Sequence, residues 1–312
     1  MNDVLRIVAL LAAISLTAAC QKAQEPVATA ITNITVIDAI NGVHNNQTVV
    51  FNGDNIVSVE PGNAATGVET TIDGSGKFLI PGLWDFHVHL SYDSRLTEEM
   101  PRLFLSYGVT SVRDTGGLMH RMLPIVEDMR KPGAVAPRVW FSGPLLDGEF
   151  VVYDGESRRE IGVRNATPDE ARETVRELKE QGVDFIKIYE MVSPEVFEAL
   201  VETARELDLP IDSHVPLSMR ATTAGPPVDA IQHLRNIEFD CATNADELHA
   251  IRLEVLENPD GLPGYALRSA LHDLQRLPAI AAYDEERCNE VIDGLVSTTQ
   301  VPTLRMSAYN LA

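Results

Sequence analysis

Asp85, His87 and His89 alternate along one short apolar run, so in a strand all three side chains share a face. The usual strand rise puts the two histidines ~6–7 Å apart, close enough for both imidazoles to converge on one ion. Taken alone, such a pair fits packing as well as it fits metal binding. Lys187 lies within Phe185-Ile186-Lys187-Ile188-Tyr189, in the middle of a strand-like run between bulky apolar residues. A buried ammonium there is costly unless it is paired or chemically altered. It is either salt-bridged to an acid or a lysine that reacts with CO2 to give a carbamate, an anionic oxygen ligand able to bridge two cations. His214 ends the run Leu209–His214 and His233 ends Ala230–His233. Each by itself reads as an ordinary hydrogen-bonded histidine. Four histidines at or near strand ends, with one lysine inside a strand, make a candidate ligand set.

The elements that must position these residues follow from the hydrophobic pattern. After Pro81-Gly82, short apolar runs alternate with amphipathic helical stretches: Leu83–His89, Thr110–Arg113, Val139–Ser142, Phe185–Tyr189, Ile211–His214, Ala230–His233 and Val301–Leu304. Between them, Thr167-Pro168 with Glu170 reads as a capped helix start, and Ala171, Val175 and Leu178 recur on one face. Ser193-Pro194 starts another helix, with Phe197, Leu200, Val201 and Ala204 inward. This alternation implies a parallel sheet, and its repetition an α/β fold of the (β/α)8 barrel type. Sites in such barrels form where the strands end, which is where the histidines fall. The long helical stretch between Arg235 and Thr299 reads as an insertion over the barrel mouth. Residues 28–80, rich in Val, Ile and Thr and broken by turns, read as a small β-rich module. Val301–Leu304 is the seventh run and the sequence ends at Ala312, so a truncated barrel lacking strand eight is expected.

Composition sets outer limits. The chain has 312 residues, with 46 Asp plus Glu against 25 Lys plus Arg and a formal net charge of −21. That acidity excludes a nucleic-acid binder built on clustered basic residues, and it speaks against peripheral binding to anionic lipid. Ile7 to Ala19 is nearly all apolar but short of a membrane span, and Leu16-Thr17-Ala18-Ala19-Cys20 is similar to a lipobox. Residues 1–20 therefore read as a lipoprotein signal with Cys20 lipidated, followed by a linker over 21–27. The expected location is the periplasmic face of a bacterial membrane, as an outer-membrane lipoprotein whose membrane contact is the N-terminal lipid. Cys241 and Cys288 then face an oxidising compartment, where they either pair or stay as two buried thiols.

Pro81-Gly82-Leu83-Trp84-Asp85-Phe86-His87-Val88-His89-Leu90, followed by Gly108-Val109-Thr110-Ser111-Val112-Arg113-Asp114 and Gly116-Gly117, resembles the metal-dependent amidohydrolase superfamily. Within it, the chain is similar to imidazolonepropionase-like and Xaa-Pro dipeptidase-like members with a carboxylated lysine. The resemblance implies a small β-sandwich beside a distorted (β/α)8 barrel and a binuclear zinc site. His87 and His89 would hold one zinc, His214 and His233 the other, and the CO2-derived carbamate on Lys187 would bridge them. It implies hydrolysis of an amide or dipeptide-like C–N bond by metal-activated hydroxide. Arg113 and Tyr189 are candidates for holding the substrate, and Asp212 for orienting a ligand histidine. The general base of the family is an Asp after strand eight, so the catalytic base here is unassigned. Two other readings stay open: a mononuclear zinc deaminase, and a catalytically inactive lipoprotein or binding module. His44, His120, His249 and His272 have no matching context and read as surface residues, as does the acidic face containing Asp240. The sequence leaves self-association into an oligomer open.

Overall fold

The computed structural model describes residues 28–62, 66–156, 158–233 and 236–301. The lipidation motif with Cys20, the linker through residue 27, and the residues after Val301, on which the expected lack of strand eight turns, lie outside the described residues. The chain divides into two compact units between Pro81 and Gly82.

The first unit contains β1 (Ala28–Asp38), β2 (Gly42–Asn52), β3 (Asn55–Pro61), β4 (Thr70–Asp73) and β5 (Phe78–Leu79). Gly53, at a left-handed φ of 57°, turns β2 into β3 as an antiparallel hairpin. One edge of β1 takes β2 antiparallel, and β4 and β5 both pair with it in parallel. The sharing of β1 draws all five strands into one sheet, so among the described residues this unit is a single sheet rather than the expected sandwich.

The second unit alternates strands and helices. Its elements are β6 (Leu83–Val88), α1 (Met100–Ser106), β7 (Val109–Asp114), α2 (Met119–Arg130), β8 (Arg138–Phe141), β9 (Leu145–Asp147), β10 (Gly162–Arg164), α3 (Pro168–Glu180), β11 (Ile186–Ile188), α4 (Pro194–Glu206), β12 (Ile211–Ser213), α5 (Ala221–Ala224), β13 (Ala230–Gln232), α6 (Ile237–Asp240), α7 (Ala245–Glu257), α8 (Gly264–Ala281), α9 (Glu285–Gly294) and β14 (Thr299–Val301). Every strand pair here is parallel, in the orders β6-β7-β8 and β10-β9-β11-β12-β13-β14. Three-residue β9 and β10 carry too few apolar residues to register as runs in the sequence. The last strand begins at Thr299, two residues ahead of the predicted run.

The helices pack on these strands as their patterns require. Thr167 caps α3 by accepting from Glu170 N at 3.2 Å, and Ala171, Val175 and Leu178 are buried. Ser193 caps α4, which buries Phe197, Leu200 and Ala204, whereas Val201 is only half-buried. Each fully buried large apolar side chain contributes ~1.5–3 kcal/mol relative to exposure. The predicted insertion is α6 through α9. The disulfide Cys241–Cys288 ties the end of α6 to α9, so the two cysteines do pair. Asp240, expected on a solvated face, is instead buried. It accepts from Arg220 and from Thr222 N, because α5 and α6 pack together there.

Candidate metal centre

His87 lies on β6, and His89, His214 and His233 lie just past the ends of β6, β12 and β13. Parallel strands place their C-terminal ends side by side, so these loop-edge residues meet. The His87 ring centroid is 5.1 Å from that of His89 and 4.6 Å from that of His233, and His233 is 4.9 Å from His214. His233 holds a left-handed φ of 60°, a conformation that non-glycine residues adopt mostly where surrounding structure demands it. All four histidines and Lys187 line one cleft of about 1190 Å³.

Hydrogen bonding fixes the tautomers. Asp212 Oδ1 can only accept, so Gln232 Nε2 donates to it at 2.7 Å. Gln232 Oε1 is then the atom turned to His87, and His87 Nδ1–H donates to it at 2.6 Å. His89 Nδ1–H donates to the Gly116 carbonyl at 3.0 Å, and His214 Nδ1–H to Glu190 Oε1 at 2.7 Å. A Cβ on Gly116 would come within 3.0 Å of the His89 ring, so the chain passes it with no room to spare. Burial holds the imidazolium forms of His87, His89 and His214 below the ordinary histidine range, so all three are neutral bases.

The Nε2 atoms of His87 and His89 therefore face each other as two lone pairs 3.3 Å apart, with no proton between them. Two nitrogens held ~2.0–2.1 Å from one tetrahedral ion sit ~3.3–3.4 Å apart, so this pair fits a shared cation. Lys187 is fully buried and its Nζ makes no hydrogen bond. It pairs in register with Asp212 across β11 and β12, and the carboxylate lies 3.6 Å away. Burial pushes the Lys187 ammonium down to about 8, partly offset by Asp212. Among the described residues, no three His, Cys, Asp or Glu side chains form a ligand group by themselves. The donor set is thus histidines in close succession plus Lys187.

The family model described as "Amidohydrolase family" matches residues 78–225, which include His87, His89, Lys187 and His214. Residues 78–225 are an amidohydrolase-family domain. Among curated relatives, an adenine deaminase of Desulforamulus reducens is 29% identical over 89 residues, 28% of this chain and 15% of that protein. An adenine deaminase of Clostridium perfringens is 41% identical over 44 residues, 14% of this chain and 8% of that protein. The match thus spans a small part of either relative. Among solved structures, a Xaa-Pro dipeptidase with bound methionine gives a TM-score of 0.61 at 17% identity, over 88% of this chain and 78% of that one. A putative prolidase from Bifidobacterium longum gives 0.57 at 21%, over 87% and 84%. The ochratoxinase of A. niger gives 0.56 at 19%, over 89% and 76%. These structures share the fold.

Of the residues singled out in the sequence, the fold brings His87, His89, Lys187, His214, His233 and Tyr189 to the cleft. The Tyr189 ring lies 4.5 Å from that of His214. Arg113 goes elsewhere: its Nη2 is 3.1 Å from Asp212 Oδ2, and its guanidinium stacks 4.5 Å from the Phe185 ring. With its charge engaged by a fully buried carboxylate, it is not available to a substrate in the cleft. Asp212 reaches His87 indirectly, through Gln232, rather than accepting from a ligand histidine itself. His44 and His120 are exposed, but His249 is half-buried against the Ser218 carbonyl and His272 donates to buried Glu190 at 2.8 Å. Gln232, Glu190 and Arg268 also escaped the sequence reading. A polar residue beside a candidate ligand, as in Tyr189-Glu190 and Gln232-His233, was the signal available for two of them.

Proposed function

We propose that this protein is a metal-dependent hydrolase of carbon–nitrogen bonds in small amide or dipeptide-like substrates. The observation that carries the reading is the facing pair of unprotonated Nε2 atoms on His87 and His89, each oriented by a hydrogen bond at its other nitrogen. A bound divalent metal supplies a Lewis acid for the scissile carbonyl and a water of lowered pKa. His87 and His89 would hold one zinc, and His214 and His233 a second. Lys187, as its carbamate, would bridge them. Carbamate formation needs the neutral amine, which attacks CO2 and releases one proton; a buried amine with an ammonium pKa near 8 supports that step. Tyr189 lines the cleft as a protonated phenol, because burial and the Glu190 charge push its ionisation well up, so it serves as a donor to the substrate. Arg276, exposed on α8 at the cleft, suits a substrate carboxylate. The Cys241–Cys288 disulfide supports an oxidising compartment, in keeping with the proposed periplasmic location.

The matches to adenine deaminases favour a second reading, a mononuclear deaminase. Metal analysis with a panel of dipeptides, N-acyl amino acids and adenine separates the two. Two zincs per chain with release of amino acid are expected, and His87→Ala with His89→Ala should lose both metal and turnover. One zinc with ammonia release from adenine would overturn the hydrolase reading in favour of the deaminase.

A further inference from the structure

His214 does not stand on its strand end alone. Its Nδ1–H donates to Glu190, whose side chain is 1% exposed. A carboxylate that deep is tolerated only when its oxygens are filled. Four bonds fill them. Oε1 accepts from His214 at 2.7 Å and from Arg268 Nη2 at 3.2 Å. Oε2 accepts from Arg268 Nε at 2.7 Å and from His272 Nε2 at 2.8 Å. This matches the roughly four lone-pair sites of an ionised carboxylate. The arginine engages both oxygens as a fork, which fixes the plane of the carboxylate and so the direction from which His214 can donate.

Arg268 and His272 are four residues apart on α8, hence on one face of that helix. The same helix buries Leu267, Leu271 and Gln275, so its position is set by packing. Gln275 in turn accepts from Arg252 Nε at 2.6 Å and donates to the Leu248 carbonyl, tying α8 to α7. The disulfide closes the excursion that carries both helices. The segment that looks like an insertion thus ends, through two side chains, on the acceptor that aims a metal ligand.

Resting on the proposed metal-dependent function, we infer that Glu190, held by Arg268 and His272 of α8, is a positioning residue for the metal centre. It fixes His214 with Nδ1 protonated and Nε2 open, and the α6–α9 excursion is thereby part of the site rather than an appendage. Arg268 and His272 touch neither His214 nor Lys187 through any hydrogen bond or ion pair described above, so their hold on the His214 ring runs through Glu190; Arg268 also lines the cleft, which is why the His214 tautomer is read beside zinc affinity.

The test uses the full chain, zinc as the probe, and two readouts besides activity: zinc affinity by competition with a chelator, and the His214 tautomer from ¹⁵N NMR of the metal-free protein. Arg268→Met and His272→Leu should each weaken zinc about 10–100-fold and shift His214 away from the Nδ1–H form. His272→Gln keeps a donor for Glu190 and should recover most of the affinity. Asp273→Asn, on the same helix but outside this network, should behave as wild type, which separates the clamp from a general loosening of α8. The inference falls if Arg268→Met and His272→Leu keep wild-type zinc affinity and tautomer while His214→Ala weakens zinc. If the wild-type chain binds no zinc, the metal-dependent reading falls instead. The tautomer still decides the clamp in that case: an unchanged His214 in both α8 variants overturns it.

Discussion

At one end of the cluster, His87 and His89 give their Nδ1 protons to neutral oxygens, Gln232 Oε1 and the Gly116 carbonyl; at the other, His214 gives its proton to an ionised carboxylate. Neutral acceptors orient a ring and ask for nothing more. A carboxylate also raises the basicity of the ring it accepts from, but when buried it needs counter-charges. Here those come from α8. The first end is therefore built from strand ends and the loops between them, and the second depends on a helix far along the chain. Both ends share one device. Asp114, at the end of β7, accepts from Leu90 N at 2.5 Å and Gly116 N at 3.1 Å, and so fixes the main chain just after His89 and at Gly116, the residue whose carbonyl His89 donates to. Asp147, at the end of β9, accepts from Met191 N at 2.8 Å and Val152 N at 2.9 Å, and so fixes the chain just after Glu190.

The comparison is open to attack from either end. The largest effect is expected from Cys241→Ser with Cys288→Ser. Releasing a loop closed over a sequence separation of 47 should lower stability in urea by about 4 kcal/mol. The His214 tautomer should become heterogeneous and that of His89 should not; equal disturbance of both would erase the distinction between the two ends. A smaller effect concerns the shared device. Burial pushes the Asp114 and Asp147 carboxyls up to about 7, well above their ordinary 3.8. The fold then favours their protonated forms, so the stability they contribute is complete below pH ~4 and is lost as pH rises to ~7. Relative to Asp114→Asn or Asp147→Asn, the metal-free wild type should lose a few kcal/mol across that window. A flat difference would mean that the main-chain donors outweigh burial at both ends. Smallest is Gln232→Leu, which removes the acceptor of His87 and a donor to Asp212. Zinc affinity should fall ~10–100-fold, with His87 and not His214 changing tautomer. An effect on His214 alone would reverse the assignment of the two ends.

The candidate ligand residues and the strands that carry them were legible because strand periodicity and residue type are local properties. Asp85, His87 and His89 declare a shared face, and Thr167-Pro168 with Glu170 declares a helix start. The partners of those ligands were not legible. Gln232 acts because β13 ends opposite β6, and the separation of 145 residues between it and His87 carries no periodic signal. Arg268 and His272 sit on a helix whose own pattern explains only its buried leucines; that their polar face meets Glu190 is a matter of how the excursion folds back. Arg113 failed as a substrate residue for a related reason. Its position at a strand end was read correctly, but the in-register pairing that places Asp212 beside Lys187 also offers Arg113 a buried carboxylate.

The turn between α7 and α8, Asn258-Pro259-Asp260-Gly261-Leu262-Pro263, is largely exposed and lies inside the interval spanned by Cys241 and Cys288. A protease that cut there would sever the main chain between the helix carrying Arg252 and the helix carrying Arg268. The two pieces would nonetheless remain one covalent molecule, joined through sulfur at the foot of the excursion. Such a nick would be silent to any separation by size until a reductant was added.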